Sequence, residues 1–206
     1  MKTFALALIA AGALTLSACS DDSQPLEAPL ADRVENREPP AAAADPIAKI
    51  AIEGGFNELV SALVHVDTEL NAGLVNLFMA NNTGPFTVFA PTDEAFRELY
   101  AILTPILGAQ ITSITQVPAE VVLSVLKYHV VDGRRPSPVV LPKSGERWLP
   151  TLQGENFWVT SGGMIRDGLG LRATIVAPDV RATNGVIHVI DKVILPPSVV
   201  AALTSN

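Results

Sequence analysis

The sequence predicts an α+β domain, and three observations predict it. Apolar residues recur at helical spacing through most of residues 47–129. One run of buried-strand character, Phe86–Ala90, interrupts the helical part. After Asp132-Gly133 the period drops from 3.6 to 2, and short apolar stretches alternate with Gly, Asn-Gly and Asp-Gly turns. Helices first and strands later imply an antiparallel sheet system joined to a helical lead-in.

The front of the 206-residue chain stands apart from that body. "MKTFALALIAAGALTLSAC" has Lys2 and then an apolar run from Phe4 to Leu16. The run is shorter than the ~20 residues of a spanning helix, and residues 1–18 read as a secretory signal. It ends in Leu16-Ser17-Ala18-Cys19, and Cys19 is the only cysteine, so no internal disulfide forms. The ending resembles a bacterial lipobox, in which the cysteine becomes the first mature residue and carries the lipid. Ser20 after it, rather than an aspartate, resembles an outer-membrane sorting signal. The competing reading is a plain signal peptide with a chance cysteine.

Residues 19–45 then read as an acidic, Pro/Ala-rich tether. From Ser20 to Asp45 there are seven acidic and two basic residues and almost nothing to bury, which describes a solvated, self-repelling spacer. Residues 46–206 hold fourteen acidic and eleven basic residues, and the whole chain carries −7. With no basic stripe, nucleic acid is excluded as a partner.

In the body, Ile47 to Ile52 makes a first helical turn, separated by Gly54-Gly55 from a helix carrying Phe56, Leu59, Val60, Leu63 and Val64 at i, i+3, i+4 spacing. A segment from Thr68 to Met79 buries Leu70, Leu74, Leu77 and Phe78 and stops at Asn81-Asn82. In "GPFTVFAPTDEAF" the strand Phe86–Ala90 ends at Pro91, and Thr92 or Asp93 is placed to cap the next helix. Phe96, Leu99, Tyr100 and Leu103 give that helix one apolar face, and a third helix runs from Pro118 to about His129. Near the end, "TNGVIHVID" reads as a turn with positive φ at Asn184-Gly185 and an apolar strand, Val186–Ile190.

Three blocks, in order, carry a resemblance to fasciclin domains: "TVFAPTDEAF", "LKYHVV" and "ATNGVIHVIDKVILPP". It covers about Asp45 to Val199, so a single domain over residues 46–199 with a C-terminal tail, 200–206, is expected. The family fold is a wedge of two β-sheets with a cluster of helices packed beside it. Its members mostly act in cell adhesion and matrix interaction, and the bacterial ones are often secreted or anchored single domains. Thr183 stands where the family more often has Ser.

No enzyme constellation is present in the sequence. His65, His129 and His188 have no metal-site spacing, no Gly-x-Ser-x-Gly elbow occurs, and adjacent Asp93 and Glu94 point about 100° apart on a helix. No cofactor and no metal are expected. Thr92, Asp93, Asn184, Gly185, His188 and Asp191 are read as structural: caps, a turn, a core histidine and a strand-closing acceptor.

The resemblance implicates the Tyr-His block, here Tyr128 and His129, in partner contact, because in adhesion relatives that block is linked to integrin binding. On a helix, Val122, Val125, Leu126 and His129 share one arc, with Tyr128 on its flank. His129 is therefore expected inside, and direct contact is left to Tyr128 or to the "DGRRPSP" loop with Arg134 and Arg135. That loop is either a solvated turn or a contact for a sulfated or uronic-acid glycan. The expected function is a lipid-anchored envelope adhesion module meeting a protein or an anionic glycan. The alternative is a carrier holding a ligand in an apolar groove.

Overall fold

Residues 45–167 and 170–204 are described by the structure, a computed structural model. The leader, Cys19 and the tether up to Ala44 lie outside the described residues, as do the last two residues of the tail. Everything described belongs to one contact unit.

The helical lead-in forms α1 (Ile47–Glu53), α2 (Asn57–Leu70) and α3 (Leu74–Met79). The segment expected to run unbroken from Thr68 to Met79 is divided. Asn71 and Gly73 take left-handed φ values of 52° and 69°, and the Asp67 carboxylate accepts from the Leu74 and Val75 N–H groups at 2.7 and 2.8 Å. One acidic side chain near the end of α2 thus starts α3. The buried face of α2 is Leu59, Ala62, Leu63 and Val66, which leaves Val64 exposed, contrary to the periodicity reading.

Strand β1 (Phe86–Pro91) is buried along its whole length. Its corner leads into α4 (Asp93–Leu107), where Thr92 Oγ1 accepts from Ala95 N–H at 3.3 Å and so fills the cap position. Asp93 reaches the other way. It accepts from Glu58 N–H at 3.0 Å and from Asn57 Nδ2 at 2.9 Å, capping α2 instead. One corner therefore fixes the starts of two helices. A single 3-10 turn, Ile114–Gln116, precedes α5 (Ala119–Tyr128).

The remaining elements are β2 (Val130–Asp132), α6 (Ser137–Val140), β3 (Glu146–Pro150), β4 (Asn156–Thr160), β5 (Met164–Arg166), β6 (Arg172–Ala182), β7 (Gly185–Ile190) and α7 (Pro197–Thr204). The strand order is β2-β1-β7-β6-β5-β4-β3. Long β6 belongs to both halves: it begins paired with β5 and ends paired with β7, with register shifts at Ile175/Ala177 and Ala177/Val180 between. Such irregularities bend a strand and raise its twist, which produces the two-sheet wedge. Leu152 N–H donates to Val130 O at 2.8 Å, bringing the two ends of the strand order together.

Two features depart from the sequence reading. The β1–β7 pairing is parallel, because nearly a hundred residues of helices and strands separate the two and permit a crossover. The tail contains α7, which starts at Pro197 and packs Val200 against the helical core.

The sheet separates two cores. Phe86, Val88, Ala90 and Ile187 face the helices, with Leu63, Phe96 and Leu126 opposite. Phe89 and Ile190 face the inside of the wedge, where they meet Leu149, Phe157 and Ile165. Phe157 sits at the centre of the second core, edge-on to Phe89 at 5.0 Å and to Tyr128 at 5.7 Å.

Candidate functional site

The loop after β2 is exposed yet held at several points. Thr87 Oγ1 on β1 donates to Gly133 O at 2.6 Å and accepts from Arg135 N–H at 2.9 Å. His188, fully buried on β7, accepts at Nδ1 from Asp179 N–H at 3.3 Å, which leaves its Nε2–H to donate to Arg135 O at 2.9 Å. The Asp179 carboxylate then accepts from Ser137 N–H and Ser137 Oγ–H, at 2.7 and 2.5 Å. Asp179 itself holds a left-handed φ of 63° within the bulged part of β6, a conformation that Asp tolerates better than most residues.

These anchors place Arg134 at the mouth of a cleft of about 520 Å³, lined by Arg134, Pro136, Pro138, Asp179, Arg181 and Val186. Arg134 donates to Thr183 O at 2.9 Å, and Arg135 Nε donates to Asp132 O at 3.0 Å. Two guanidinium side chains and two proline rings flank the opening, while Asp179 spends its carboxylate on Ser137. A planar guanidinium suits carboxylate or sulfate, so two of them at one opening could hold an anionic group.

Nothing here forms a nucleophile–base pair. Ser137, Asp179 and His188 are neighbours, but Ser137 gives its proton to Asp179 and both ring nitrogens of His188 are engaged by backbone groups. Among the described residues, no group of three or more His, Cys, Asp or Glu is placed to hold a metal ion.

Of the Tyr-His block, His129 is inside as expected and Tyr128 departs from the reading. Tyr128 is completely buried in the second core and donates its hydroxyl to Asn156 O at 3.0 Å, so it presents nothing to a partner. The helical arc misplaced it because α5 ends there, with two cores meeting at its last turn. Burial pushes the Tyr128 hydroxyl pKa upward. His129 is buried as well. It donates from Nδ1 to Val125 O at 2.7 Å and accepts at Nε2 from Ile194 N–H at 3.2 Å, and burial pushes its pKa down to about 4.

The second signature block serves the frame. Asn184 is 2% exposed: its Oδ1 accepts from Ile47 N–H at 2.9 Å, and its Nδ2 donates to Phe78 O and Ala80 O, each at 3.0 Å. One amide thus ties the β6–β7 turn to α1 and to the end of α3. Asp191 accepts from Thr174 N–H at 2.6 Å, closing the edge of β6. Asn184 and Gly185 do not have the positive φ expected of them. Ala182 pairs with Gly185, which puts Thr183-Asn184 at the corner and Gly185 already in the strand.

Sequence reading missed Thr87, Ser137, Asp179 and Arg181. Only Pro178-Asp179 inside an otherwise strand-like run gave a local sign, that of a break in the ladder.

The Fasciclin domain family model matches residues 54–196. The chain belongs to the fasciclin domain family. It is 39% identical to Protein sll1483 of Synechocystis over 144 residues, 69% of this chain and 68% of that protein. It is 34% identical to the cell surface glycolipoprotein MPB83 of Mycobacterium bovis over 158 residues, 76% of this chain and 63% of that protein. A solved FAS1 domain pair from the insect cell adhesion molecule fasciclin I aligns with a TM-score of 0.46 and 19% identity, over 69% of this chain and 46% of that one. In this fasciclin domain, then, the Tyr-His block is core, and the loop that follows it is surface.

The apolar space between helices and sheet, lined by residues such as Leu59, Phe96, Leu103, Val121, Val125 and Val199, holds a cavity of about 30 Å³. Small-molecule sites run to some 300 Å³ or more, well above the volume of this cavity.

Proposed function

We propose that this fasciclin domain is an exported, non-catalytic interaction module of the cell envelope. It is held by lipid at Cys19, at the outer membrane, and meets an acidic group on a partner surface through the Arg134–Arg181 cleft. The observation that carries the reading is the contrast at the loop: its backbone is fixed by Thr87 and His188, while Arg134, Pro136 and Pro138 stand exposed. A surface organised in advance loses less freedom on binding. A relative named as a cell surface glycolipoprotein supports the location, as do the signal-like leader and lipobox-like ending. The test is salt-sensitive binding of the bead-clustered full chain to matrix proteins, lost when Arg134 and Arg181 are both replaced by Ala.

A further inference from the structure

The chain has two tryptophans, Trp148 and Trp158, and they face each other across the β3–β4 ladder with ring centroids 5.1 Å apart at 71°. Trp148 is 62% exposed. The register extends the pair into a row, for Trp158 is opposite Arg166 and Arg166 is opposite Arg172. Trp148, Trp158, Arg166 and Arg172 therefore form one line across four strands. At a strand spacing of ~4.8 Å the line is about 14 Å long. Their strand neighbours Leu149, Phe157, Val159, Ile165 and Ala173 point the other way, into the second core.

The row is aromatic at one end and cationic at the other. The Arg166 guanidinium lies 5.0 Å from the Trp158 ring and 3.0 Å from the Glu146 carboxylate. Arg172 makes no ion pair among the described residues. By strand alternation Asn156, Thr160 and Thr174 share this outward face. On a chain of net charge −7, this face carries two arginines against Glu146. A cross-strand aromatic pair adds little to the stability of a sheet, and both tryptophans of the chain are placed where water reaches them.

We infer that this row is a platform for an extended acidic polysaccharide. Sugar C–H faces pack against the edge-to-face indole pair, chiefly on the exposed Trp148, and the carboxylates of uronic-acid units meet Arg166 and Arg172. Successive rings of an extended chain repeat at close to the strand spacing, so one ring fits one strand. The guanidinium fork matches a carboxylate with two parallel hydrogen bonds, and the indole face is electron-rich toward polarised C–H groups. A lipid surface fits less well, because Glu146, Asn156, Thr160 and Thr174 stand beside the rings and would lose hydration among acyl chains. The site is separate from the Arg134 cleft and does not rest on that reading. Arg172 opens β6 and Arg181 nearly closes it, roughly 30 Å apart on an extended strand.

Because both tryptophans belong to the row, intrinsic fluorescence reports on it directly. The full chain is titrated with galacturonic-acid oligomers of several units and with their methyl esters, which keep the rings and remove the charge. The inference expects a saturable fluorescence change with the acid form and at least tenfold weaker binding of the ester. Arg172→Gln costs about tenfold, Trp148→Ala abolishes capture on immobilised polygalacturonate, and Lys127→Ala, exposed on α5, changes neither; all three variants keep the parent melting temperature. No binding of the acid form, equal affinity for the ester, or undiminished capture by Trp148→Ala would overturn it. So would a fluorescence change with anionic phospholipid vesicles and none with the oligomers, which would make the face a membrane contact.

Discussion

Gly185 lies directly against Phe86: a Cβ added to Gly185 would sit 2.2 Å from the Phe86 carbonyl oxygen and 2.7 Å from Ile47 Cδ1. The two residues are partners in the parallel β1–β7 ladder, so the residue just before the first signature block touches the last block at a point with no space for a side chain. This glycine is required by close approach of two strands, since its φ is not in the left-handed region. Gly185→Ala should therefore cost about 3 kcal/mol, at the upper end for overpacking, or roughly 10 °C in melting temperature for a domain of this size. Thermal unfolding checks it, and an unchanged midpoint would mean that the strands separate easily.

Asn184→Ala should be as damaging for a different reason. It strands one N–H and two carbonyl groups where water is scarce, at about 1 kcal/mol or more each. Asn184→Asp keeps an acceptor for Ile47 N–H but loses both donated bonds, and should fall between the two. Urea titration of the three proteins gives the ranking, and equal midpoints for Ala and Asp would contradict it.

The buried histidines make the domain acid-sensitive. With His129 held down at about 4 by burial and an unfolded value near 6.5, the unfolded chain takes up a proton that the folded one refuses. Stability is then full above about pH 6.5, falls as the pH drops, and levels off below about 4, a loss of roughly 3 kcal/mol. Burial lowers the His188 pKa too, so it acts in the same direction. Urea midpoints between pH 6.5 and 5, above the usual carboxylate range, should fall steeply in the parent and less steeply in His129→Gln. Equal slopes would remove His129 as the cause.

Tyr128 and Arg134 should separate stability from contact. Tyr128→Phe loses one buried hydrogen bond and should cost about 1 kcal/mol of stability while leaving binding intact. Arg134→Ala should leave the melting temperature within about 1 °C, as exposed positions usually do, and weaken binding. Reversed outcomes would return the contact to the Tyr-His block.

Much of this was legible in the sequence because it rests on local chemistry. The Thr92 cap, the Phe86–Ala90 strand and the α4 face follow from short-range pattern, and three fasciclin blocks in order carried the family. The rest depended on what packs against what. Tyr128 looked like a flank residue because a helical projection assumes one core, whereas α5 ends between two. Gly185 reads as a turn residue with positive φ, a conformation it does not adopt; a glycine is needed there for close approach to Phe86. Asp179 and Arg181 joined the cleft through a bulge and a β6–β7 register that no residue spacing specifies.

Attachment through lipid at Cys19 is a separate part of the proposal and has its own test. Cys19→Ala should move the protein out of the detergent-extracted membrane fraction. Continued partition into that fraction would leave the lipid at Cys19 without support.

The most direct measurement is binding of the full chain, clustered on beads so that weak contacts are multiplied, to a panel of matrix proteins. It is made at about 0.15 M salt and again at about 1 M, where the screening length shrinks from ~8 to ~3 Å, with Arg134→Ala/Arg181→Ala alongside. The account predicts capture by an acidic partner at low salt, lost at high salt and lost in the variant. Capture that survives both the salt and the double substitution would contradict it.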